Sequence, residues 1–161
     1  MKVKRDHPYS HSAETVYDLF TDADEIHAKQ EAIGAREISI EECERDDDGA
    51  EVSFVRELPA DVPGILKKFL QPWNTVRQSE QWRVCEDDVY RADLEIEISG
   101  VPVTVTGTLE LEPTDDGCVN HVRMDVDSGI PFVGKTLAEF VAKDCKRIVR
   151  DEFEYITERL G

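Results

Sequence analysis

The chain is 161 residues long, the length of one domain, with 40% hydrophobic and 34% charged residues, which is too apolar for a disordered chain. Its 19 Lys+Arg against 36 Asp+Glu leave a net charge of −17, a field that repels phosphate backbones and anionic membrane surfaces, so nucleic-acid binding is disfavoured. The same acidity suits a protein kept soluble in a salt-adapted cytoplasm and by itself implies no partner.

Residues 2–9 alternate loosely around Val3, His7 and Tyr9 and predict an opening strand. Ser12 then stands as a cap before Val16, Leu19 and Phe20, which share one face of a short helix. Asp22 followed by Glu25 resembles a capping box opening a second short helix that Gly34 ends. Ile38 and Ile40, the acidic turn Asp46-Asp47-Asp48-Gly49, and Val52 and Phe54 together read as a hairpin.

A break at 58–72 carries the turn residues Pro59, Pro63 and Gly64, then Ile65, Leu66, Phe69 and Leu70 on one side of a helical turn with Lys67 and Lys68 opposite. Two readings stand for it: a gate over an open end of the fold whose lysines meet an anionic head group, or a fixed plug that completes the core. Trp73–Cys85, Val89–Ile98, Val101–Leu111 and Gly117–Asp127 follow as strands, for a total of about seven. The clearest alternation sets Tyr90, Ala92, Leu94, Ile96 and Ile98 against charged neighbours, which predicts an antiparallel sheet with one wet and one covered face. From Leu137 to Leu160 apolar residues recur at three- and four-residue steps, so a helix of roughly 28 residues, about 42 Å long with Pro131 in its first turn, would cover that face.

The order of elements resembles the helix-grip fold of the START-like, or SRPBCC, superfamily: an α+β architecture in which a curved antiparallel sheet wraps a long C-terminal helix. The whole of residues 1–161 also resembles an uncharacterised bacterial branch of it, domain of unknown function family 2505. The segments that carry the likeness are Val16-Tyr-Asp-Leu-Phe20, Arg56-Glu-Leu-Pro59 with Pro63, Glu80-Gln-Trp82, Gly100-Val-Pro-Val103 with Gly107-Thr108, and Ile130-Pro-Phe-Val-Gly134. These are structural prolines, glycines and a tryptophan, with no catalytic signature. The resemblance implies a hydrophobic cavity between sheet and helix.

Within Trp73–Val84 the inward parity of Val76, Trp82 and Val84 also takes in Gln78 and Glu80. A carboxylate facing an apolar enclosure has its pKa raised unless a donor meets it, and such a group can hold a ligand hydroxyl or act as an acid. Arg56, in register with Val52 and Phe54, offers the counter-charge. The alternatives are a bulge that turns Glu80 to solvent, or an ion pair with Arg56 at the cavity rim.

The leading functional expectation is a cytoplasmic carrier or sensor for a small hydrophobic molecule of lipid, fatty acyl or isoprenoid type. From the sheet, Phe54, Trp82, Leu94, Ile96, Val105 and Met124 would line its cavity, and from the helix Phe140 and Ile148. Arg56, Gln78 and Glu80 would add polar contacts, and Phe69 would reach the ligand from the 58–72 segment. One alternative is a cyclase- or hydratase-like enzyme using Glu80 with His7 or Tyr90, which requires two of these groups to converge. Another is a protein-interaction module docking through its acidic surface or the 63–70 segment, which an exposed apolar patch around Phe69 and Leu70 would favour.

No metal or cofactor is expected, and no residue is assigned a catalytic role. His7 and His11 are four apart, but Pro8 and a strand-to-helix junction spoil the ligand geometry. Cys43, Cys85, Cys118 and Cys145 are scattered and read as reduced, mostly buried thiols. The charged start Met1–Asp6 predicts no secretory signal, and no stretch approaches the roughly 18 apolar residues of a membrane span.

Overall fold

The computed structural model describes residues 1–161. Seven strands, β1 (Lys2–Tyr9), β2 (Arg36–Arg45), β3 (Gly49–Pro59), β4 (Trp73–Val84), β5 (Tyr90–Ile98), β6 (Thr104–Thr114) and β7 (Gly117–Asp127), are joined by three helices. Those helices are α1 (Ala13–Phe20), α2 (Ala23–Ala32) and α3 (Gly134–Leu160). The strands make one antiparallel sheet in the order β1-β7-β6-β5-β4-β3-β2, so β1 closes beside the last strand and the hairpin β2–β3 forms the far side.

The two short helices start where their sequence signals place them. Ser12 Oγ accepts from Thr15 N at 3.1 Å, and Asp22 Oδ2 accepts from Glu25 N at 2.9 Å, each satisfying an end-group that the first turn leaves open. Gly34 follows α2 with φ +96°, a conformation that only glycine adopts without strain. At Gly107, on β6, an added Cβ would sit 2.2 Å from the carbonyl oxygen of Arg123 on β7. A side chain is impossible at so close an approach of two strand backbones.

Helix α3 runs 27 residues, about 40 Å. It begins three residues beyond Pro131, because Phe132 takes φ +67° and breaks the helical turn the sequence predicts there. Residues 101–103 likewise precede β6 as irregular backbone where the sequence predicts strand, although Val101 and Val103 are buried.

The helix does not fill the concave face evenly. It leans on β7, β1 and α2, and the buried apolar side chains separate into clusters instead of one continuous core. One large cluster gathers around the first half of α3 with Val3, Leu94, Val105, Val122 and Leu137. The other gathers around its C-terminal end and α1 with Val16, Tyr17, Phe54, Trp82 and Ile156. A smaller group joins Ala35, just before β2, to Leu58 on β3 and Val76 on β4. Between these clusters the helix stretch from Phe140 to Phe153 keeps a half-buried face that includes Asp144, Ile148 and Glu152.

The 58–72 segment is a plug. Leu66 is fully buried and Leu70 nearly so, both within the first cluster, while Lys67 and Lys68 face outward. Phe69 packs half-buried against the same cluster. An exposed Phe69–Leu70 patch, which would favour docking through this segment, is therefore absent, because these two side chains pack against the core.

Candidate functional site

Between the clusters lies a cavity of about 110 Å³, with 20 of its 29 lining residues hydrophobic. That is room for several water molecules, at roughly 10–15 Å³ for one. Leu94, Ile96, Val105 and Met124 reach it from the sheet, and Phe140 and Ile148 from α3. Arg56, Gln78 and Glu80 form a polar wall on β3 and β4.

Three of the expected residues lie elsewhere. Phe54 and Trp82 belong to the C-terminal cluster, where Tyr17 meets Trp82 edge-on at 5.5 Å and Phe20 lies 6.0 Å from it. Helix α1 fills that end of the sheet, so inward parity there leads into packed side chains instead of into the hollow. Phe69 sits in the plug and does not reach the cavity.

β4 pairs without a bulge on both sides, Gln78 with Phe54 and Ile96, Glu80 with Val52 and Leu94. Unbroken register keeps both polar side chains inside. Their charges and dipoles are met by one another. Trp82 Nε1 donates to Glu80 Oε1 at 2.9 Å, and Gln78 Nε2 donates to Glu80 Oε2 at 2.6 Å. Arg56 donates through Nη2 to Gln78 Oε1 at 3.0 Å, through Nη1 to the Val76 carbonyl at 3.3 Å and through Nε to Gln30 Oε1 at 3.1 Å. Gln30 passes the chain on to Glu152 Oε2 at 3.1 Å, where Lys29 Nζ stands at 3.5 Å.

Burial pushes the Glu80 carboxyl above its ordinary range, opposed by Lys29 and by the donors Trp82 and Gln78. Burial also pushes the Arg56 guanidinium down to about 10, opposed by Glu152 and Glu80. Arg56 is therefore still charged at neutral pH, and the wall is a satisfied buried network.

No hydrogen bond joins Glu80 to His7 or Tyr90, the partners expected for an acid–base pair. The two Glu80 oxygens accept from Gln78 and Trp82, one donor each, and Tyr90 stacks on Tyr17 at 4.3 Å, away from the cavity. His7 lines the opposite wall, on β1, with its ring flat against Phe153 at 4.3 Å. Burial raises the thiol of Cys145, which also lines the cavity, to about 12, and that of Cys118 to about 11. Thiols so poorly ionised are inert as nucleophiles.

Several site residues escaped the sequence reading. Asn120 shares the inward parity of Cys118 and Val122, and Asp144 and Glu152 stand four residues to either side of the expected Ile148 on α3, so those signals were present. Gln30 has no such signal, since α2 shows little apolar patterning and its position against Arg56 is set by tertiary packing.

A family model described as protein of unknown function (DUF2505) matches residues 4–160. No curated protein matches the chain. Among solved structures it is similar to the protein TTHA0849 from Thermus thermophilus, with a TM-score of 0.67 and 17% identity over 99% of this chain and 96% of that one. It is also similar to a STAR-related lipid transfer protein from Xanthomonas axonopodis, with a TM-score of 0.60 and 14% identity over 95% and 85%. Ara h 8.0201 matches with a TM-score of 0.62 and 12% identity over 98% of each chain. At these identities the likeness establishes the START-like fold. No helix is long and apolar enough to cross a membrane.

Proposed function

Since the chain belongs to the DUF2505 family and has the START-like fold, we propose that it encloses a small hydrophobic molecule, lipid, fatty acyl or isoprenoid-like, as a carrier or sensor. The observation that carries this reading is the mostly apolar hollow that parts the two halves of the core. Filling it with apolar ligand surface would yield about 25 cal/mol per Å² before the costs of association are subtracted. A fold-mate that is a lipid transfer protein supports the same reading. The contacts would come from Leu94, Ile96, Val105, Met124, Phe140 and Ile148. The four cysteines are free thiols, which suits a reducing cytoplasm.

The test is native mass spectrometry of freshly purified protein, with extraction of any retained molecule, alongside titration with the neutral apolar dye N-phenyl-1-naphthylamine. A reproducible adduct, or saturable dye binding displaced by fatty acids or prenyl alcohols, is the expected result. A chain that carries nothing and leaves the dye unbound is no carrier.

A further inference from the structure

The wall made by β1 and β7 holds a polar demand that the protein's own side chains leave unmet. Asn120 lines the cavity at 5% exposure, and its Oδ1 is buried without a hydrogen-bond partner. His7 is its direct cross-strand neighbour on the same wall, which puts the two side chains within reach of one ligand atom. The contrast with the β3–β4 wall is chemical: there Arg56, Gln78 and Glu80 satisfy one another, whereas a lone buried carbonyl is a standing cost that a donor would remove.

The identity of the missing donor follows from what each candidate group can offer. An ionised carboxylate, an ester and a ketone have only acceptor oxygens and leave Asn120 Oδ1 as it is. A carboxylate would also meet Asp144 and Glu152 in the lining, while the two cations there, Lys29 and Arg56, are already engaged, Lys29 by Glu152 and Arg56 by Gln30, Gln78 and the Val76 carbonyl. A hydroxyl donates to Oδ1 and accepts from an imidazole N–H, and because it does both, it suits either orientation of the amide. Burial holds the His7 imidazole below its ordinary pKa, so at neutral pH it meets the ligand uncharged.

We propose that Asn120 and His7 form a hydroxyl-recognition subsite, and that the ligand is a neutral apolar alcohol or phenol whose O–H donates to Asn120 Oδ1. This rests on the ligand-enclosing reading and narrows it: hydroxylated molecules are favoured over free fatty acids.

Calorimetric titration of the full chain with 2-naphthol, 2-methoxynaphthalene and 2-naphthoate tests it. The naphthol is expected to bind about tenfold tighter than its methyl ether, one hydrogen bond's worth, with the naphthoate weakest. Asn120→Leu should abolish that preference, keep the ether's affinity and melt at or above the wild-type temperature, since the orphaned carbonyl is gone. His7→Phe keeps the stacking on Phe153 and should reduce the preference in part, which provides a second reading should Asn120→Leu fold poorly. Equal binding of naphthol and ether by the wild type, tighter binding of the naphthoate, or a preference that survives Asn120→Leu overturns the subsite while leaving a hydrophobic carrier in place. If none of the three compounds binds, the carrier reading fails together with it.

Discussion

Gln78 donates through Nε2 to Oε2 of Glu80 at 2.6 Å, and this bond fixes which way the amide points. Its oxygen is left to face Arg56, from which it accepts at 3.0 Å. The amide is thus a relay between a buried cation and a buried carboxyl that do not touch. Gln78→Leu would keep the side-chain volume but remove a partner from each charged group. At roughly 1.5–3 kcal/mol for a hydrogen bond to a charged group, the expected loss is about 3 kcal/mol or more, read from the urea midpoint at unchanged m-value. A loss below about 1 kcal/mol would show that water replaces the amide and that the wall is wet.

Arg56 and Glu80 should behave as a coupled pair although Gln78 separates them. Arg56→Met leaves Gln30, Gln78 and the Val76 carbonyl without their donor, and the expected cost is about 3–5 kcal/mol, as for breaking a buried ion pair. Glu80→Met also removes the acceptor of Trp82 Nε1. The double variant should be less damaging than the sum of the two by about 1–3 kcal/mol, because neither charge is then buried alone. Strict additivity in this cycle would mean that the network carries no charge coupling.

Parity along β4 was enough to place Gln78 and Glu80 inside, because the strand pairs regularly along its length and a period of two survives only without slips. The same rule gave Phe54 and Trp82 the right face but the wrong surroundings: a face says nothing about what is packed over it, and α1 covers that end. On β2 the register shifts twice and Glu37 takes φ +53°, breaks that no residue type in the run announced. The helix-grip architecture was legible from element order and amphipathic faces. The division of the core around a hollow was not, since it depends on how far α3 leans toward β1 and β7.

The two strand histidines should pull stability in opposite directions with pH. His7 has its folded-state pKa lowered by burial and by Arg5, so the unfolded chain takes up the proton first. Its contribution is full above the unfolded value of about 6.5 and is lost as pH falls below it. His121 is raised, first by its hydrogen bond to Asp6 Oδ1 at 2.7 Å and further by Glu112. Its contribution is full below about 6.5 and is lost as pH rises through the folded value. Urea unfolding at pH 5, 6.5 and 8 should show the wild type losing ground to His7→Phe toward acid pH and to His121→Gln toward alkaline pH. Added salt should flatten only the second trend, because the His121 pair is partly exposed. Parallel curves for wild type and variant would show that the histidine in question does not titrate across folding.

Trp82 separates packing from binding. Its ring is wedged among Tyr17, Phe20 and the rest of the C-terminal cluster, and its N–H meets Glu80, while the cavity is lined without it. Trp82→Ala is expected to cost about 3–5 kcal/mol, the range for emptying a large aromatic site. Trp82→Phe retains most of the packing but strips Glu80 Oε1 of its donor, at about 1–3 kcal/mol. The affinity of Trp82→Phe for N-phenyl-1-naphthylamine should stay within about twofold of wild type, since truncating a residue outside the cavity removes no ligand contact. A tenfold weakening in a variant that still folds would bring Trp82 into contact with the ligand and extend the hollow into the C-terminal half of the core.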